Sequence, residues 1–358
     1  MIVPVVVANE RRESFKPISG GYKALVKLAG RPLYRHMADL LFQTFGRVYV
    51  ASREGVEEGY DVLNAYGDSI SDAITAASQV STATDKLLIA DGSVITDRDA
   101  VRALIETMAS SGADGAVLAV PTKRGGNLLV KISGGYLAGI SDEGQLAYGG
   151  VMVIPSQAAR FFEGSIREAL AEMASRFKIG VAVWGGKWFK VDEPLDLIEA
   201  LELVMPDATY ISAGAKVSPT AVIEGPVHVE SGAEIDHYAV IKGPAYIGRG
   251  AFIGAHTLVR NYSDVEEDAV VGSSAEVTHS LVGPRSTIGR GSFISYSVVG
   301  EGAVVEPGVL TKSVLREGRD RLKPIEVRGR ELYKLGALIG RGERVGAGAV
   351  LEPGRGFI

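Results

Sequence analysis

Ile235-Asp-His-Tyr-Ala-Val-Ile241-Lys-Gly-Pro-Ala-Tyr-Ile247-Gly-Arg-Gly-Ala-Phe-Ile253 sets an isoleucine at every sixth position. The same phase runs from Ile211 through Val217, Ile223 and Val229, and on to Val259, Val265, Val271 and Val277, without a slip. Four residues after most of these comes a small one, as at Ala215, Ala221, Ala233, Ala239, Ala245, Ala251, Ala269 and Ala275. An α-helix repeats every 3.6 residues and a strand every two, so neither gives a strict six. A hexad repeat belongs to a parallel β-helix, in which each hexad makes one short strand and a turn. Three hexads close a coil, the aliphatic residue points inward, and the small one fits the corner. Successive coils, about 4.8 Å apart, complete one another's backbone hydrogen bonds. Beyond Val277 the phase slips by one residue to Val282, Ile288 and Ile294, and slips again to Val299 and Val305. A charged segment, 315–330, interrupts it and reads as a solvated loop. Hexads return at Ile339, Val345 and Leu351.

The rest of the chain bounds the function. With 358 residues, 46% hydrophobic and 23% charged, it makes about two domains, 1–206 and 207–358, joined at Met205-Pro-Asp207. A net charge of −5 argues against a general nucleic-acid or acidic-membrane partner. The absence of cysteine excludes disulfides, thiolate metal sites and a cysteine nucleophile. Met-Ile-Val-Pro-Val-Val-Val7 reads as a first strand rather than a signal peptide, and no apolar run approaches a membrane span. The expected address is cytoplasmic.

Residues 2–8 predict a buried parallel strand. Leu33, Met37, Leu40, Leu41 and Phe45 recur at helical spacing. Strands are predicted at 47–51, 86–90 and 114–120, with a helix over 68–80 and another capped by Thr96, Asp99 lying in its first turn. Residues 127–140 read as a hairpin insertion. Strands at 149–155 and 180–184, a helix to about Arg176 and one opened by Pro194 complete an α/β domain with a mainly parallel sheet.

This arrangement resembles the sugar-1-phosphate nucleotidylyltransferases (NDP-sugar pyrophosphorylases), above all the archaeal two-domain enzymes that are also amino-sugar-phosphate acetyltransferases. The residues that carry the likeness are Lys23-Ala-Leu and Gly30-Arg-Pro-Leu33, Asp72-Ala-Ile74, Ala90-Asp91, Trp188 with Pro194-Leu-Asp-Leu197, and Lys334-Leu-Gly-Ala-Leu-Ile-Gly340. The implied fold is a Rossmann-like nucleotidyltransferase domain followed by a left-handed parallel β-helix of hexapeptide repeats. The implied reaction joins a sugar 1-phosphate to a nucleoside triphosphate and releases pyrophosphate. Such catalysis is positioning and charge neutralisation, by a glycine-rich loop, cationic side chains and Mg²⁺.

By resemblance, Lys23 and Asp91 are the catalytic pair and Asp91 the first magnesium ligand, with Asp192 a poor substitute for the second. Ala8, Asn9, Arg11, Arg12, Lys23, Ser69, Gly126 and Lys190 line the nucleotide and sugar-phosphate site. Three departures stand beside the likeness. Ala8-Asn-Glu-Arg-Arg12 lacks the loop's glycines. Lys190 falls where the family carries its second acidic ligand, and an ammonium there opposes a divalent cation. The base-recognition turn reads Ser69-Ile-Ser-Asp-Ala-Ile74. In the β-helix, Arg260 matches a phosphate-binding arginine, and Arg260 and Arg290 mark a phosphate or coenzyme site. The family's catalytic histidine motif falls on Arg290-Gly-Ser-Phe293, which argues against acetyl-CoA as cosubstrate. Two readings stand level: a divergent nucleotidyltransferase, and a non-catalytic sugar-nucleotide sensor or scaffold beside an active paralogue. An acyltransferase with a relocated base is third. The flat faces of the β-helix point to a homo-oligomer, with the resemblance favouring a trimer and a two-fold contact also open, or to a hetero-oligomer with an active paralogue.

Overall fold

The computed structural model describes every residue except 54–55, 122–127, 163, 318–320 and 358. The chain forms two units. The first is Met1–Arg12, Tyr22–Leu25 and Pro32–Lys190; the second is Glu13–Gly21, Val26–Arg31 and Val191–Ile358. No helix of the described residues is long and apolar enough to cross a membrane.

The first unit is built on nine strands: β1 (Ile2–Val7), β2 (Tyr49–Ser52), β3 (Asp61–Asn64), β4 (Lys86–Asp91), β5 (Gly115–Pro121), β6 (Leu129–Ser133), β7 (Tyr136–Ser141), β8 (Leu146–Pro155) and β9 (Ile179–Val183). Their order is β3-β2-β1-β4-β8-β5-β9-β7-β6. β1 and β4 are apolar on both faces because both faces are covered. On one face α1 (Leu33–Phe45) and α3 (Arg98–Ser111) bring Met37, Leu41 and Leu104 against Val6, Leu88 and Leu118. On the other, α2 (Ile70–Ser78) and α4 (Ile166–Arg176) bring Ile74, Leu170 and Met173 against Val5, Ile89 and Met152. That is a doubly wound α/β unit, as the alternation of strands and helices predicts.

The details differ in three places. The sheet is mixed, since β8 runs antiparallel to both β4 and β5 and the 129–141 hairpin joins as its edge. α2 begins at Ile70 rather than 68, because Ser69 and Asp72 close a reciprocal capping box ahead of it. α3 is capped by Asp97, whose carboxylate accepts from the Ala100 N–H at 3.0 Å. Thr96, expected as the cap, instead ends a strand and donates its hydroxyl to the Lys187 carbonyl.

The second unit carries the ladder. Three seven-stranded sheets, all parallel, run from Tyr210–Ile211 to Leu338–Ile339, from Lys216–Val217 to Arg344–Val345, and from Val222–Glu224 to Val350–Leu351, a left-handed parallel β-helix. Hexad residues from Val229 onward fill its interior, while Ile211 at the first coil stays exposed. The phase slips have a geometric meaning. Early coils repeat every 18 residues, as in Ile235↔Ile253, and later ones every 17, as in Val265↔Val282 and Val282↔Val299. One residue is lost per coil, at the same edge, so the inward column is kept. The last coil pairs Val299 with Ile339. The charged segment is not a plain loop. It makes two antiparallel hairpins, Leu315–Glu317 with Arg321–Lys323 and Ile325–Val327 with Arg330–Leu332. The returning hexads at Ile339, Val345 and Leu351 supply the ladder's final coil.

Candidate functional site

Open α/β sheets place their ligands beyond the carboxyl ends of the central strands. Here β1 ends at Val7 opposite Asp91, the last residue of β4. The chain turns immediately after, at Gly92, where a Cβ would lie 2.6 Å from the Val7 carbonyl oxygen, so only glycine passes. Asp91 is thereby held at the strand tip and is 5% exposed.

Both oxygens of Asp91 are occupied. Oδ1 accepts from the Ser93 N–H at 2.9 Å and from the Ser93 hydroxyl at 2.8 Å. Oδ2 lies 3.3 Å from Lys23 Nζ and 3.3 Å from Lys190 Nζ. Lys190 is set there by strand Trp188–Lys190, which pairs with Val94–Thr96 in the register Lys190↔Val94. The Trp188 indole anchors that strand by donating to the Gly149 carbonyl at 2.9 Å. Lys23 is wholly buried and lies 3.0 Å from Glu10 Oε2, while Glu10 Oε1 meets Arg12 at 2.9 Å. Burial acts to raise the Asp91 carboxyl. The Lys23 and Lys190 charges and the Ser93 hydrogen bonds outweigh it and hold the group well below the usual carboxylate range. The result is an ionised carboxylate clamped between two ammonium groups.

Tyr148 completes the spot. Its buried hydroxyl has no hydrogen-bond partner among the described residues. Burial pushes the phenol up, the Asp91 charge adds to that, and Lys190 opposes it. Sequence reasoning passed over Tyr148, and it passed over Ser93 and Glu10 as partners. The run Asp91-Gly-Ser93 carried a signal for the second, since an Asp commonly bonds the backbone two residues on.

The other expected residues fall as follows. Ala8 is buried and donates its N–H to the Ala51 carbonyl at 2.8 Å. Asn9 is buried too, and its amide bonds the carbonyls of Gly67 and Ser69 at 2.9 and 2.8 Å. Its Oδ1 has no hydrogen-bond partner among the described residues. The Asn9 side chain therefore ties the loop to the start of α2, where the family has a bare glycine. The Ser69 hydroxyl is engaged in capping α2. Arg11 lies 3.8 Å from Asp68 and over the Tyr22 ring. Gly126 lies outside the described residues. Asp192 lies beyond the strand that ends at Lys190. Its N–H donates to Asp196 at 2.9 Å. In the β-helix, Arg260 is bound twice by Glu276 Oε1, at 2.9 and 2.7 Å, and Arg290 stands apart in an exposed turn.

Magnesium does not fit these residues. A dication at Asp91 needs a free carboxylate oxygen and further oxygen ligands. Both oxygens are taken, and two ammonium groups stand where the charge would sit. Among the described residues no three His, Asp or Glu side chains gather to hold a metal.

Comparison with known families gives two matches. The MobA-like NTP transferase domain matches residues 18–182, and the GMPPB C-terminal domain matches residues 223–315. No curated protein matches the chain. The first match covers most of the doubly wound unit and the second lies within the ladder. Together they make the chain similar to nucleotidyltransferases of sugar-nucleotide metabolism and support its likeness to the sugar-1-phosphate nucleotidylyltransferases.

Proposed function

We propose that the N-terminal unit binds nucleoside phosphates or nucleotide sugars without turning them over, as a sensing or regulatory member of its family beside an active paralogue. The observation that carries this reading is the clamp of Lys23 and Lys190 on Asp91, each at 3.3 Å. Nucleotidyl transfer in the family sets a divalent cation against the triphosphate. Here the polypeptide supplies the positive charge and leaves no oxygen for the metal. The loop at 9–12 supports the reading as well. Asn9 is fixed to the start of α2, and Arg12 is paired with Glu10. Backbone N–H groups need close approach to cradle phosphates, and side chains at these positions obstruct it. The orphaned Tyr148 hydroxyl and Asn9 Oδ1 remain to meet the polar edge of a ligand.

The test has two arms on the full chain. Pyrophosphate release is followed with UTP or dTTP, glucose 1-phosphate and Mg²⁺. Thermal shift is followed with the same nucleotides and with nucleotide sugars, since a ligand of the native state raises its melting point whether or not it reacts. A raised melting point without pyrophosphate release is the expected result. Brisk release overturns the proposal, and so does the absence of any shift.

A further inference from the structure

In the second unit, two carboxyl groups with no direct cationic partner among the described residues are buried side by side. Asp264 lies in strand Ser263–Val265, between Tyr246 and Leu281 on the neighbouring strands, and Glu266 follows that strand. Val265 points into the coil, so Asp264 points out of it. An outward carboxylate on a β-helix face is normally solvated. Yet both groups have no exposed surface, because the turn after Lys27–Leu28 covers them.

That turn is made for the purpose. Ala29 and Gly30 both take left-handed backbone angles, φ of +52° and +75°. A two-residue turn of this kind leaves the N–H groups of its central residues pointing away from the hairpin. The Ala29 N–H donates to Asp264 Oδ2 at 2.7 Å, and the Gly30 N–H donates to Glu266 Oε1 at 2.8 Å. Position 30 must be glycine, since the Tyr246 hydroxyl occupies the place of a Cβ. The remaining oxygens, Asp264 Oδ1 and Glu266 Oε2, have no hydrogen-bond partner among the described residues, and the two carboxyls, side by side under adjacent N–H groups of one turn, leave Glu266 acting to raise Asp264. Two ionised carboxylates cannot bond each other; one proton between them makes the bond.

We propose that Asp264 and Glu266 share one proton and that this proton latches the 26–31 strap onto the β-helix, releasing it when the pair ionises fully.

The surroundings leave the pair little other compensation. Tyr246 faces it from the adjacent strand, with Glu230 at 3.5 Å from the Tyr246 hydroxyl. Lys27 of the strap is held by Glu267, at 2.8 and 2.9 Å, and Arg285 lies 3.8 Å from Glu267. Burial raises both carboxyls. Asp264 stands well above the usual range, pushed further by Glu266 and opposed by the Ala29 N–H. Glu266 is pushed up to about 7, against the pull of the Gly30 N–H and Lys27. When the shared proton leaves for solvent, two like charges remain in a site with no exposed surface. Lifting the strap admits water and lowers that energy.

The sign follows. A carboxyl raised in the closed state favours closure below the open-state value near 4.5, and that preference is lost as pH rises toward about 7. Glu266 gives up its preference for closure as pH approaches about 7 and Asp264 only above that, so strap opening is expected to increase on the order of a hundredfold between pH 5 and pH 8 and to go on rising above pH 8. Hydrogen exchange on the full chain reads this at the Ala29 and Gly30 amides, with core amides such as Val265 as the reference after correction for intrinsic rates. Glu266→Gln keeps an acceptor for Gly30 and supplies a permanent donor to Asp264, so its strap should stay protected to pH 8. Asp264→Asn provides the same test should the first variant fail to fold. Equal protection of the wild-type strap at both pH values overturns the latch. A folded variant that loses protection as the wild type does overturns it equally.

Discussion

Lys190→Asp tests the cationic clamp most directly. Lys190 Nζ lies 3.3 Å from Asp91 Oδ2, so a magnesium ion on Asp91 would sit within about 4 Å of the ammonium. At an effective dielectric of about 20 that repulsion is about 8 kcal/mol, and partial solvation reduces it to a few. The side chain is 22% exposed, which limits the reduction. A few kcal/mol suffices to abolish millimolar Mg²⁺ affinity. The substitution removes the repulsion and puts a second carboxylate beside the first. Without metal, the like-charged pair should lower the melting point. With metal, an affinity of ~0.1 mM read at ~10 mM Mg²⁺ returns about 2.7 kcal/mol. For a unit of this size that is roughly 5–10 °C. The assay is a thermal melt of wild type and variant in MgCl₂ against NaCl of equal ionic strength, with EDTA as the reverse control. The wild type should show no specific response. Saturable stabilisation of the wild type by Mg²⁺ would refute the reasoning. A folded variant indifferent to Mg²⁺ would show that Asp91 and position 190 do not share a coordination sphere.

Three further outcomes are expected. Asp91→Asn leaves the buried Lys23 and the neighbouring Lys190 short of their shared counter-charge and should cost about 3 kcal/mol at pH 7 in urea unfolding. Because the Asp91 carboxyl is held low in the folded state, its contribution is present above the ordinary aspartate range and is lost as pH falls through the folded value, so the gap between wild type and variant should close in acid. Tyr148→Phe removes a buried hydroxyl that has no partner among the described residues; it should leave stability unchanged or raise it by up to about 1 kcal/mol, while weakening nucleotide binding if that hydroxyl meets the ligand. Ile253→Ala opens a cavity in the middle of the ladder and should cost about 2–5 kcal/mol in the β-helix unfolding transition; a loss below 0.5 kcal/mol would mean that the column is loosely packed.

The β-helix was legible because its order is local and periodic. Each hexad states its own inward residue, so twelve in phase determine the architecture before any contact is known. The shortening from 18 to 17 residues per coil was visible as a slip at Val277, but its geometric meaning needed the pairings. In the α/β unit, strands and helices followed from pattern, whereas β8 running antiparallel did not, because an apolar strand carries no mark of its direction. Asp97 displacing Thr96 as a cap is a difference of one residue that propensity does not resolve. At the site, Asp91, Lys23 and Lys190 were found by motif. Tyr148 was missed because it lies in an otherwise apolar strand, far from Asp91 in sequence. The same separation hid the meeting of Ala29 and Gly30 with Asp264 and Glu266.

The detour between Thr311 and Leu338 bears on how the ladder assembles in time. Coils joined by 17 or 18 residues can add one upon the next like turns of a winding. The outermost coil is reached only after a span of 40, as in Val299↔Ile339. Closing that longer span costs only about 0.8 kcal/mol more in chain entropy, so the excursion is thermodynamically cheap. Its effect falls on sequence of events: the terminal turn docks last and detaches first, and an intermediate lacking it presents three bare strand edges to any neighbouring chain.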